Sequence, residues 1–197
     1  MRILLVIAHG RQGSLTRQAA EAFAVSARAK GDEIEIADLV EENFDPILMP
    51  VDEPDWNDAS KVYSDAVSRE MKRIERNEAT VVFFPVWWWS MPAVLKGWID
   101  RVWNHGWAYG GKDYPHRRVL MVAIAGNGRE AYAKRGYDMA MRTQIVTGIL
   151  EYCGVERGDL EILYGAIEDA DTPAGIIAAA AKLGSAFQIL SATRSPS

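Results

Sequence analysis

Thr80-Val81-Val82-Phe83-Phe84-Pro85-Val86-Trp87-Trp88-Trp89-Ser90-Met91-Pro92 is the stretch on which the reading of this chain turns. Residues 80–84 are β-branched and aromatic, too few for a helix and apolar on both faces, as a central parallel strand must be. Three indoles directly beyond its carboxyl end fall at the rim of a sheet, where open α/β folds bind ligands in a crevice. Buried aromatics also fill cores and oligomer interfaces, and the cluster alone fits those uses too. Pro85 and Pro92 bracket it, however, and fix the backbone of a strand-to-helix turn. A flat, conjugated ligand is the first candidate.

Outward from this strand, elements alternate. An apolar run at 3–8 reads as a first strand, followed by the loop His9-Gly10-Arg11-Gln12-Gly13-Ser14 and a helix over 15–30 stopped by Gly31. Residues 33–39 alternate polar and apolar, as an outer strand does. The segment 40–56 carries Pro46, Pro50 and Pro54 and cannot be regular helix. Helical spacing of Val62, Ala66, Val67, Met71 and Ile74 predicts a helix over 57–77, and two apolar rows, Val94/Trp98/Val102 and Leu95/Ile99/Trp103, predict another after Pro92. A fourth strand follows at 119–125, a helix at 129–152, a fifth strand at 160–164, and an Ala-rich helix from Pro173 to about 190. The tail 191–197 is expected to fray.

This alternation argues for an α/β fold: a doubly wound five-stranded parallel sheet with helices on both faces. The flavodoxin-like order 2-1-3-4-5 is expected, although periodicity does not exclude a Rossmann order. With 197 residues, 49% of them apolar and 25% charged, the chain fits one domain over 1–197. A net charge of −5, with 22 basic residues scattered along the chain, leaves no electrostatic footprint for nucleic acid. The single Cys153 excludes an intrachain disulfide and a cysteine-based metal site, and no metal is expected. The apolar run after Met1 is too short to span a membrane and lacks a cleavage site, so the chain reads as cytoplasmic, without membrane insertion.

In such a sheet the loops after strands one, three and four share one edge. The first offers Ser14 and Thr16 hydroxyls and a helix N-terminus, which attract a phosphate; His9 and Arg11 add a donor and a charge. Ser14 is equally a plain N-cap, and His9 a plain loop histidine. The loop is neither a Walker A sequence nor G-x-G-x-x-G. The tryptophan loop offers an aromatic surface and successive N–H groups from Val86 to Trp89 that suit an isoalloxazine ring. The turn Gly126-Asn127-Gly128 lets main chain approach a ligand edge closely.

At this point a family resemblance is visible. F-F-P-V-W-W-W-S-M-P-A-V-L-K-G-W-I-D-R-V-W-N-H-G-W-A-Y-G, residues 83–110, resembles the central motif of the flavodoxin-like NAD(P)H:quinone oxidoreductases, a family that includes mammalian quinone reductases and bacterial potassium-efflux ancillary reductases. D-L-V-E-E-N-F-D-P-I-L at 38–48 and A-H-G-R-Q-G-S-L-T at 8–16 are similar to further segments of that family, and D-E-P-D-W at 52–56 to its small bacterial NAD(P)H oxidoreductases. The resemblance implies that His9, Ser14, Leu15 and Thr16 contact a flavin's ribityl phosphate region, and that Pro85, Val86, Trp87, Trp88 and Trp89 hold its ring. It implies that Gly126 and Asn127 approach the flavin edge and that Tyr132 sits beside N1 and O2. Tyr109 would reach across a homodimer interface toward the nicotinamide and acceptor. Asp138 stands where the mammalian enzymes carry a histidine that assists proton movement.

The implied activity is hydride transfer from NADH or NADPH to FMN or FAD, then two-electron reduction of a small quinone-like acceptor. Chain length favours FMN. Two alternatives stand beside it: a regulatory flavoprotein subunit of a potassium-efflux system, and a one-electron carrier of flavodoxin type.

Overall fold

The computed structural model describes residues 1–168 and 172–188. Five parallel strands, β1 (Arg2–Ile7), β2 (Glu33–Asp38), β3 (Ala79–Pro85), β4 (Arg118–Ile124) and β5 (Arg157–Leu163), form one sheet in the order β2-β1-β3-β4-β5. This is the expected flavodoxin-like order. Register pairs Ile7 with Asp38 and Phe83, Pro85 with Ile124, and Ile124 with Leu163, so the carboxyl ends of all five strands finish along one edge.

Alternation along the strands divides the core into two layers. Ile3, Leu5 and Ile7 of β1 and Val81 and Phe83 of β3 meet Phe23 of α1 (Leu15–Ala29) and Ile176 of α6 (Thr172–Ala186). Leu4, Val6, Val82 and Phe84 point the other way, against α2 (Asp65–Glu75) and α3 (Ala93–Val102), whose Leu95 and Trp98 are fully buried. Each such large side chain contributes roughly 1.5–3 kcal/mol by leaving water. Among the described residues no helix is long and apolar enough to cross a membrane.

Two helices differ from expectation. The one expected over 57–77 starts only at Asp65, because Asp55 and Asp58 accept N–H bonds from Asn57 and Ser60 two residues on, turns that compete with helix, and Ser64 supplies the N-cap. The one expected over 129–152 is broken. α4 (Arg129–Arg135) ends at Gly136, whose φ of 69° closes the helix in the left-handed region. α5 (Tyr137–Arg142) then passes into a π-helical stretch, Thr143–Glu151. The expected end of the last helix near 190 and the frayed tail lie outside the described residues.

Candidate functional site

A cleft of about 300 Å³ opens at the carboxyl edge of the sheet. His9, Arg11, Leu15 and Thr16 line it from the first loop, Pro85, Val86 and Trp87 from the end of β3, Ile124 and Gly126 from β4, and Ala166 and Ile167 from the segment after β5. Three of the loops singled out in the sequence therefore converge. The fourth wall, Ala166 and Ile167, was missed, although the strand order alone brings the loop after β5 to this edge.

The first wall is organised by Ser14. Its side chain is fully buried and accepts the N–H of Arg17 at 3.3 Å, so the hydroxyl serves as N-cap. That leaves the N–H groups of Leu15 and Thr16 without a protein acceptor among the described residues. Two free amides at the start of a 15-residue helix are an arrangement suited to an anion. His9 accepts the Arg11 N–H on Nδ1 at 3.0 Å, which assigns its proton to Nε2. Burial, then Arg11 and Arg17, lower its pKa, so His9 presents a neutral donor. Arg17 itself is bonded to Asp38 at the end of β2. That position is where a Rossmann fold places its ribose-binding acid, and here it is occupied within the protein.

The second wall is a two-residue hairpin turn. Val86 prolongs the sheet by donating to Ile124 O at 2.9 Å, and Trp87 and Ser90 exchange N–H···O bonds, both at 3.1 Å. Between them Trp88 and Trp89 adopt φ of 50° and 54°. Positive φ at both central positions is the type I′ geometry that normally selects Asn-Gly, and it costs a bulky residue about 1–3 kcal/mol. The amides expected to serve a ring therefore divide: those of Val86 and Trp87 are bonded within the protein, whereas those of Trp88 and Trp89 have no acceptor among the described residues. Trp88 is 88% exposed; Trp89 lies on Tyr137, centroids 4.2 Å apart and planes tilted by 30°.

Gly126 lines the cleft, and Asn127 follows it in the turn. Their amides are also free among the described residues, while Gly128 donates to the Glu168 carboxylate. Gly126 does not adopt a positive φ, and an added Cβ would meet nothing closer than Ile167 at 3.4 Å. The fold does not demand glycine at 126, yet glycine keeps this edge of the cleft open. Free amides on the first loop, in the turn after β3 and at Gly126 and Asn127, beside the aromatic wall of Trp87, suit a planar ring bearing a phosphate, as in a flavin mononucleotide.

The two tyrosines sit apart. Tyr132, on α4, is buried edge-on to Tyr164 at 5.2 Å and Tyr137 at 5.9 Å, which connects it to Trp89. Burial pushes its pKa up to about 12, and its hydroxyl has no protein hydrogen bond among the described residues. Tyr109 belongs to a second aromatic group with Trp56, His105 and Tyr152, at 5.5–5.9 Å. No ring contact joins the groups among the described residues. Asp138 accepts the N–H of Met139 at 2.9 Å within the first turn of α5. Tyr137 carried no signal in the sequence beyond its place after Gly136.

The family model for the flavodoxin-like fold matches residues 1–186. The chain belongs to the flavodoxin-like fold family. It is 38% identical over 167 residues to the uncharacterised NAD(P)H oxidoreductase YcaK of Escherichia coli K12, covering 84% of this chain and 85% of that protein. An NAD(P)H:quinone oxidoreductase from Methanothermobacter marburgensis superimposes with a TM-score of 0.88 at 30% identity, over 94% of each chain. NAD(P)H dehydrogenase [quinone] 1 of Cavia porcellus is 25% identical, covering 83% of this chain and 68% of its own length.

Proposed function

We propose that this protein is a flavin-dependent NAD(P)H oxidoreductase that delivers two electrons to quinone-like small acceptors, with FMN as the resident cofactor. The observation that carries this reading is the set of unsatisfied amides at one edge of the sheet: Leu15 and Thr16, which line the cleft at a helix N-terminus, and Trp88 and Trp89 in the strained turn that follows its Trp87 wall. The names of the relatives point the same way. Bound flavin supplies the hydride-accepting and electron-donating chemistry. The protein's part is holding and orienting it. The Leu15 and Thr16 amides, with the His9 Nε2–H, would hold the phosphate; Trp87 would wall the ring; the Gly126 and Asn127 amides would meet its edge. Tyr132 keeps its proton at ordinary pH and would donate a hydrogen bond to negative charge there.

The homodimer reading rests on the apolar surface beside Tyr109. Met49, Val51, Trp56 and Val62 expose apolar surface on one loop, and Trp56 touches Tyr109. The reading is of a cytoplasmic homodimer with NADH or NADPH and the acceptor alternating at one site. Heat release of the chromophore, identified by mass, should yield FMN, and stopped-flow mixing with NADH or NADPH should bleach the yellow protein. Flavin-loaded protein that neither nicotinamide reduces would overturn the assignment, and sedimentation as a monomer would overturn the dimer.

A further inference from the structure

Two consecutive tryptophans in the left-handed region are an unfavourable way to build a two-residue turn, so other contacts must hold them there. The exposed indole of Trp88 makes one ring contact among the described residues, edge-on with Trp89 at 5.9 Å, and cannot anchor the loop. On one side Trp87 meets His9 edge-on at 5.8 Å, and on the other the two residues after Trp88 reach the segment 137–144. Trp89 lies on Tyr137 at 4.2 Å, and Ser90 Oγ donates to Gln144 Oε1 at 3.1 Å. Tyr137 follows the left-handed Gly136 that ends α4, and the buried ring of Tyr132 stands edge-on behind it.

We propose that Tyr137 is a positioning residue: its stack on Trp89 holds the 87–90 turn in the strained form that keeps the Trp88 and Trp89 amides available to a ligand. Gln144 is the second tether. The consequence for cofactor binding rests on the flavin reading above, whereas the clamp belongs to the protein alone. Its operation is therefore visible without ligand. Removing the ring at 137 releases the strain by letting the turn open, which exposes the Trp87 and Ser90 amides that close it. A glycine at 88 accepts positive φ without penalty and makes the clamp partly redundant.

The experiment is amide exchange at Trp87 and Ser90 in the apoprotein. Tyr137→Ala should accelerate both about tenfold, the scale of one aromatic pair, and Tyr137→Phe should restore protection. In a Trp88→Gly background Tyr137→Ala should have a much smaller effect. Tyr137→Leu replaces the alanine variant if that chain does not fold. With FMN added, Tyr137→Ala should weaken binding about tenfold while Tyr137→Phe stays within about twofold. Unchanged exchange in folded Tyr137→Ala, or equal acceleration with and without glycine at 88, overturns the proposal. If the wild type takes up neither FMN nor FAD, the functional reading fails and the exchange rates still decide on the clamp.

Discussion

Asp52 and Arg101 meet at 2.7 Å in a buried ion pair, and through it the proline-rich segment is fastened to α3. Asp52 also accepts the Ser64 N–H at 2.8 Å and its hydroxyl at 3.0 Å, while Arg101 donates to Asp45 O. Both ends of the loop that presents Trp56 to Tyr109 thus converge on one carboxylate.

Removing that charge should loosen the loop. Asp52→Asn leaves Arg101 buried beside a neutral partner and should lower stability by about 3 kcal/mol, read as a fall in the urea midpoint. Burial works to raise the Asp52 pKa, but Arg101 and Ser64 prevail and hold it below the usual carboxylate value. Its contribution is then complete above the ordinary value and lost as pH falls through the lowered one, so the deficit of the variant should shrink in acid. A constant deficit down to pH 3 would contradict this.

The helix N-terminus admits a substitution that removes one amide. Ser14 has φ −63° and ψ 151°, a conformation compatible with a following proline, and proline is favoured at the first helical position. Leu15→Pro should keep the helix but lose one of the two free N–H groups. Titration with FMN should show affinity about tenfold below that of Leu15→Ala, the scale of a hydrogen bond to a charged group. Equal affinities for the two variants would remove the Leu15 amide from phosphate binding.

Most of this fold was legible because its strands are short apolar runs whose period admits few alternatives. Residues 80–84 and 119–125 predicted central strands, and both are buried throughout. What escaped was local backbone chemistry. The left-handed turn at Trp88 and Trp89 carries none of the Asn or Gly that would announce it. Gly136 was hidden inside an otherwise helical pattern, and the Asx turns at 55 and 58 removed two turns from an expected helix. At the site, the loops could be placed on one edge, yet which amides remained free depended on bonds such as Val86 to Ile124 that no sequence pattern specifies.

His116 gives a second pH test. Its Nε2 faces the carbonyls of Ile74 and Asn77 at 2.8 and 2.9 Å, so Nε2 carries the proton and Nδ1 accepts from Thr80 at 2.7 Å. Burial lowers its pKa, which favours the neutral ring in the folded protein. The resulting stability is complete above the ordinary value of 6.5 and lost as pH falls through the lowered one. The urea midpoint of wild type should therefore converge toward that of His116→Gln on acidification. A difference that widens below pH 6 would contradict the assignment.

Tyr132 separates stability from chemistry. Its hydroxyl makes no hydrogen bond to the protein among the described residues, so Tyr132→Phe should leave the thermal midpoint within the range of a neutral change, about 0.5 kcal/mol. Because burial raises its pKa to about 12, the phenol stays protonated at all working pH values and can act only as donor. Loss of that donor should slow reduction by NAD(P)H about tenfold or more with FMN still bound, since a charge-assisted bond contributes roughly 1.5–3 kcal/mol. The pH–rate profile below 10 should keep its shape in the variant, as the removed group does not titrate there. An unchanged reduction rate in stopped flow would take Tyr132 out of the reaction and leave its ring as a brace for Tyr137.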